Sequence, residues 1–394
     1  MTKFAARVVA GSVELSWYRN ADNPDGAARE FTIHRRREDA FEFGKDYAEF
    51  FSGLGPQGAE RVFSGPLSPA NGVKYLWADK GAERGKTYAY YLETEGCPAL
   101  GPAAVTVRDP ETWWTHARMM AEIAALEAEF PGKIKAEIAG RGGSGRAIPA
   151  LRLGTGPLKL ALVGAIHAGE AGPELIVGVL RLLLEGGGPA ATLLALPSVN
   201  VDSRERLAEG HPGYLRTTPT GVDLNRNFPA DWGTVGHMYG LDTSDPDSET
   251  FRGHSPGSAP ETRVVMDALA QFRPDAVFCH HALCGLCGPP LLAPMAGRDD
   301  QPFVARCRQL AEAFTAAFLP ERPVSADCCY FGTDSGSLPT WVYREFGVPA
   351  FDLELGGELP DRTAIVGDKV TLVILEDYRR RYAAALCATF KQYP

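Results

Sequence analysis

From Leu160 onward the chain alternates unbroken apolar stretches with amphipathic ones, and that pattern leaves few folds open. Leu160 to Ile166, Leu193 to Val199, Ala276 to Cys279 and Ala350 to Leu353 are continuous apolar runs of strand length. Between and after them lie helical patterns, Leu175 to Leu184 and Val370 to Phe390 among them. Strands that are apolar on both sides and separated by helices must be covered on both faces, which predicts a mainly parallel sheet. Asp109-Pro110-Glu111-Thr112 is expected to open a first helix, with Asp109 as cap and Pro110 at the first helical position. Met119, Ile123, Leu126 and Phe130 continue it at helical spacing, and Pro131-Gly132 should stop it.

The first ~108 residues read differently. Val13, Leu15 and Trp17 alternate with Glu14 and Ser16, and Phe31 and Ile33 alternate with Thr32 and His34. Val73 to Trp77 and Thr87 to Thr94 supply two more short strands, and no useful helical period is visible. This predicts a small β-sandwich over 1–108, followed by a larger α/β domain over 109–394. No internal repeat is present. The 394 residues are 45% hydrophobic and 23% charged, which excludes disorder, collagen and coiled coil.

The net charge of −9 argues against nucleic acid as the main partner. No apolar run reaches the ~18 residues of a membrane span, so no membrane partner is expected. Met1 to Val9 lacks the apolar core of a secretory signal, and the eight cysteines are scattered, Cys328 and Cys329 being adjacent. The expectation is a cytoplasmic protein with reduced thiols; oligomeric state is left open.

Three segments carry chemistry. His167-Ala-Gly-Glu170 follows a buried strand, where open α/β sheets place their ligand crevice. An imidazole and a carboxylate three residues apart can share one metal ion, and a catalytic site needs one further ligand plus an open position. Ala276-Val-Phe-Cys-His280-His281 ends a second apolar strand. Adjacent histidines on a strand face opposite sides, so only one can join the ion. Gly221-Val-Asp-Leu-Asn225-Arg226-Asn227 supplies fixed donors suited to a carboxylate, or equally a structural salt bridge with an Asx turn.

In this order these pieces resemble the zinc carboxypeptidases of the carboxypeptidase A type. Gly140-Arg-Gly-Gly-Ser-Gly-Arg146, Ser258-Ala-Pro-Glu261-Thr262 and Phe351-Asp-Leu-Glu354-Leu355 extend the resemblance over roughly 112–394. It implies one zinc ion held by His167, Glu170 and His280, with His281 in the place of an Asn. It also implies that Asp223 orients His167, and that Asn225 and Arg226 grip the C-terminal carboxylate of a peptide. Arg216 would polarise the scissile carbonyl, with Arg204 and Arg206 as rivals, and Glu354 would be general base and acid. Tyr330 would close over the substrate, although Phe331 stands at the expected spacing. The partner implied is a peptide with a free C-terminus.

Two further readings compete with this one. The same elements resemble a deacylase or amidase of the aspartoacylase type, and an inactive peptide-binding homologue would use the sandwich as an adhesion module. Val13-Glu-Leu-Ser-Trp17 and Tyr75-Leu-Trp77…Gly85-Lys-Thr-Tyr-Ala-Tyr90 resemble a fibronectin type III domain.

Cys284-Gly-Leu-Cys287 has the spacing of half a zinc ribbon but no second half, so incidental thiols are expected there. Arg35-Arg36-Arg37 reads as a solvated strand face, and His34, His116, His211, His237 and His254 read as surface or loop residues. Asp334 could attract a basic side chain of the substrate, or simply shape an Asx turn.

Overall fold

The alternating apolar residues of the N-terminal part pair into two antiparallel sheets in the computed structural model. The structure describes residues 2–18, 29–38, 46–70, 73–170, 172–234, 243–281, 291–321, 323–325, 328–333, 335–354 and 371–392. The first sheet contains β1 (Thr2–Val9), β2 (Ser12–Tyr18) and β5 (Lys74–Asp79), in the order β1-β2-β5. The second contains β3 (Arg29–Glu38), β4 (Glu60–Leu67), β6 (Lys86–Glu93) and β7 (Leu100–Val107), in the order β4-β3-β6-β7. Val13, Leu15, Trp17 and Tyr75 from one sheet share a core with Phe31, Ile33, Tyr88, Tyr90, Val105 and Val107 from the other. Trp17 stacks on Tyr75 with ring centroids 5.7 Å apart. The Tyr88 hydroxyl accepts from the Glu83 N–H at 2.9 Å.

One short helix interrupts this pattern. α1 (Tyr47–Leu54) is capped by Asp46, whose carboxylate accepts from the Glu49 N–H, and it buries only Tyr47 and Phe51. Two apolar anchors in eight residues are too few to register as a helical period.

The chain divides into two compact units, 1–113 with 206–214, and 114–205 with 215–394. Arg206–Tyr214 therefore belongs with the sheets of the first unit. Val8 N–H donates to the Glu209 carbonyl at 2.7 Å, and Thr106 N–H to that of Gly210 at 2.8 Å. The Arg108 guanidinium donates to the carbonyls of Leu207, His211 and Gly213.

In the second unit α2 runs His116–Glu129, later than expected. Asp109 does accept from the Glu111 N–H, but the bond closes a turn, and Trp113 and Trp114 are buried just after it. Thr115 is the true cap, accepting from Arg118 N–H, and the helix ends before Pro131 as expected.

The strands are β8 (Ile134–Arg141), β9 (Ala147–Leu153), β10 (Lys159–Val163), β11 (Thr192–Leu196), β12 (Ala276–His281), β13 (Leu291–Pro294), β14 (Cys329–Thr333) and β15 (Ala350–Glu354). They form one sheet in the order β14-β13-β15-β12-β10-β11-β9-β8. The centre is parallel, β11, β10, β12 and β15 all running the same way. Antiparallel pairings appear at β8–β9, β9–β11 and β13–β15.

Helices α3 (Pro173–Glu185), α4 (Val201–Ala208), α5 (Pro260–Phe272), α6 (Gln301–Phe318), α7 (Leu338–Phe346) and α8 (Leu372–Phe390) complete the fold. This is the expected mixed, mainly parallel α/β architecture preceded by small β-sheets. Among the described residues no helix is long and apolar enough to cross a membrane.

Candidate metal centre

Parallel strands end side by side, so the residues just past β10 and β12 meet at one edge of the sheet. β10 pairs with β12 through Val163 and Cys279, which sets His281 beside the loop that follows β10. That loop is held by backbone bonds from Val199 and Asn200 to the carbonyls of Gly164 and Ala165. Ala165 sits at φ 45°, in the left-handed region that side chains seldom adopt. A turn from Glu170 N–H to the His167 carbonyl then brings both side chains inward.

Three donors converge there, all buried. His167 Nδ1 lies 3.1 Å from Glu170 Oε1, His281 Nδ1 lies 3.1 Å from Glu170 Oε2, and the two Nδ1 atoms are 3.2 Å apart. A tetrahedral ion with metal–nitrogen bonds of ~2.0–2.1 Å needs neighbouring ligand atoms about 3.3 Å apart. The donor set, two imidazoles and one carboxylate, suits zinc and leaves a fourth position for chemistry.

The electrostatics favour a cation. Burial opposes ionisation of Glu170, yet His167 and His281 outweigh it and hold the carboxyl well below the usual carboxylate range. Burial likewise disfavours the imidazolium of His281, but Asp352, Cys279 and Glu170 together raise its pKa well above the ordinary value. The pocket thus recruits positive charge, which a metal ion at Nδ1 would supply in place of a proton.

The geometry corrects one expectation. His281, not His280, completes the group, because β12 continues through both residues and alternation turns them to opposite faces. His280 packs against the Tyr382 ring, centroids 5.9 Å apart. Both of its nitrogens are buried without a hydrogen-bond partner, and burial pushes its pKa down to about 4.

Behind the ligands, Asp223 Oδ1 lies 3.1 Å from His167 Nε2 and also accepts from the Asn225 N–H. Arg216 Nε donates to the other Asp223 oxygen at 2.7 Å. Burial opposes the charge on Asp223, but Arg216 and His167 keep it ionised far below its ordinary pKa. Asn225 donates to Asp352 Oδ2 at 2.9 Å and accepts from Leu338 N–H at 2.9 Å. Arg226 is buried next to it, with Nη1 donating to the Asn225 carbonyl. Glu354 ends β15 and is in register with His281 on the neighbouring parallel strand.

Tyr330 is 43% exposed on β14, which is separated from β12 by β13 and β15. The Phe331 ring lies 6.4 Å from that of Phe303. Cys284, Cys287, His237 and Asp334 lie outside the described residues.

Two further residues matter here that the sequence reading did not single out for these roles. Arg204 donates through Nη1 to the carbonyls of Ala168 (3.0 Å) and Glu170 (2.7 Å) and pairs with Glu174, so it underpins the loop carrying the ligands. Asp352 stands two residues before Glu354, a spacing that puts both on one face of β15. The period-2 rule could have found Asp352. No local signal distinguishes Arg204 from any charged residue of α4.

A parallel-centred α/β sheet thus carries a buried His-Glu-His group at its strand ends, the donor set of a candidate metal centre. The zinc carboxypeptidase family model matches residues 119–366, more than half of the chain, and the chain belongs to that family. Carboxypeptidase O of Bos taurus is 25% identical over 166 residues, covering 39% of this chain and 42% of that protein. Murein peptide amidase A of Escherichia coli (strain K12) is 36% identical over 70 residues, 17% of this chain and 29% of that protein. The chain thus spans less than half the length of these curated relatives. Bovine thrombin-activatable fibrinolysis inhibitor, solved with tick carboxypeptidase inhibitor, superposes with a TM-score of 0.57. That match has 18% identity and covers 71% of this chain and 97% of the other.

Proposed function

We propose that this protein is a zinc-dependent carboxypeptidase that removes the C-terminal residue of peptides bearing a free carboxylate. The observation that carries the reading is the buried triad of His167, Glu170 and His281 with Glu354 in register beside it.

His167, Glu170 and His281 would hold the zinc ion, which when bound would supply a Lewis acid and activate water for attack. Glu354 takes the proton from the attacking water and returns it to the leaving amine. Arg216, held through Nε on Asp223, is the residue that polarises the scissile carbonyl and stabilises the oxyanion that develops there. Asp223 fixes the tautomer of His167, leaving Nδ1 as the metal-facing nitrogen. Arg226 and Asn225 receive the substrate carboxylate, and Tyr330 closes over the bound residue.

The strand orders of the two N-terminal sheets and the Tyr88 hydroxyl bond support reading that unit as fibronectin type III-like.

The test is mass spectrometry of a peptide mixture, half with free and half with amidated C-termini, incubated with zinc-loaded protein. Trimming by one residue from free peptides only is expected. Glu354→Gln should lower kcat by about 10²–10⁴-fold with zinc content unchanged.

The local likeness to murein peptide amidase A favours a second reading, an amidase acting on murein peptides. Cleavage of an amide bond in murein peptides, with linear peptides left untrimmed, would select it.

A further inference from the structure

Each imidazole in the metal group has a second nitrogen, and what that nitrogen faces sets the ring's tautomer and angle. For His167 it is Asp223. For His281 it is Asp352, whose Oδ1 lies 3.2 Å from Nε2 at ion-pair distance. That oxygen is buried and makes no hydrogen bond, so His281 is the charge partner it faces. The Cys279 sulfur shares a hydrogen bond with Nε2 at 3.3 Å, and the carboxylate beside it is the stronger partner for a ring N–H. The other Asp352 oxygen accepts from the side chain of Asn225 at 2.9 Å.

We propose that Asp352 is a positioning residue for the metal centre. It orients His281 from behind, and it ties that ligand to Asn225 on the turn after Asp223. This rests on the zinc reading of the triad.

The two strands make the tie rigid. Cys279 and His281 are in register with Asp352 and Glu354, so Asp352 lies diagonally beneath the ligand on the same face of the sheet. Movement of Asn225, which also accepts from Leu338 N–H at the start of α7, therefore reaches His281 through one carboxylate. The centre has two carboxylate-backed histidines, an arrangement that turns Nδ1 of each ring toward the ion and increases its basicity as a ligand.

Cys279, His281 and Asp352 could themselves be taken for a second metal group, since their donor atoms also cluster. That arrangement would require His281 to bind ions through both nitrogens at once.

The experiment measures zinc affinity by chelator competition, metal stoichiometry, and the visible spectrum of the cobalt-substituted protein. Asp352→Asn is expected to bind zinc about 10–100-fold more weakly, with unchanged far-UV circular dichroism and shifted cobalt bands. Asn225→Ser, which removes no ligand, should weaken zinc several-fold in the same direction, and it carries the test if Asp352→Asn does not fold. Wild-type affinity and spectrum in both variants would overturn the proposal while leaving the zinc reading intact. Two zinc ions per wild-type chain and one in Asp352→Asn would also overturn it, making Asp352 a ligand. A wild-type protein that binds neither zinc nor cobalt would instead remove the reading on which the proposal stands.

Discussion

His280 and His281 are consecutive, chemically identical and opposite in role. The difference is one of register. β12 is fixed by pairing with β10 and β15, Val163 opposite Cys279 and His281 opposite Glu354, and that pairing turns His281 toward Glu170. From sequence alone, strand alternation says that only one of the pair can serve; it does not say which, because the strand's phase is a long-range property. The residue types at His167, Glu170, Asp223 and Glu354 were legible because the motifs that carry them stand out against the apolar strands of the central sheet. His281→Ala should abolish stoichiometric zinc binding, measured by metal analysis after gel filtration. His280→Leu should retain zinc. It should also raise stability by about 1 kcal/mol in urea unfolding, because it replaces two buried, unpartnered nitrogens with apolar surface. Loss of zinc on His280→Leu, with zinc retained on His281→Ala, would reverse the assignment.

The central strands were visible because burial on both faces leaves an unbroken apolar signature in β10, β11, β12 and β15. Those beyond β15 were not. β13 and β14 have four and five residues and no distinctive period, and the start of α2 was displaced by the burial of two tryptophans. The contact between loops was equally invisible, although it holds the turn that carries Asn225 and Arg226. Gly336, between β14 and α7, accepts from Phe228 N–H and donates to the Ala230 carbonyl. It sits at φ 71°, and a Cβ there would come within 2.2 Å of the Arg226 carbonyl oxygen. Gly336→Ala therefore combines a left-handed penalty of roughly 1–2 kcal/mol with displacement of the turn carrying Asn225 and Arg226. The expected result is a loss of about 2–4 kcal/mol in stability and a rise in KM larger than the fall in kcat. A variant with wild-type KM would separate that turn from substrate binding.

At the scale of the whole chain, composition and alternation were enough for the class of fold, two antiparallel sheets and then an α/β sheet. They could not show that Arg206–Tyr214, flanked on both sides by residues of the second unit, pairs with strands of the first. Its bonds to Val8, Thr106 and Arg108 are backbone or carbonyl contacts that leave no side-chain pattern to read. That segment also gives the first unit a titrating group. Burial, reinforced by the positive charges of Arg206 and Arg108 and only partly offset by Asp46, pushes the pKa of His211 down to about 4. The unfolded chain takes up this proton near pH 6.5, whereas the folded chain does so only near pH 4. Stability is therefore full above pH 6.5 and falls as pH drops from there toward 4, by about 2 kcal/mol once solvent screening of a partly exposed ring is allowed for. His211→Gln, which cannot titrate, should flatten that part of the profile. Urea unfolding at about pH 7 and pH 5 measures it, and the wild type should lose more stability between the two than the variant does. Equal losses would mean that the acid sensitivity of this unit lies in other groups, and that the His211 ring is protonated in the folded chain as readily as in water.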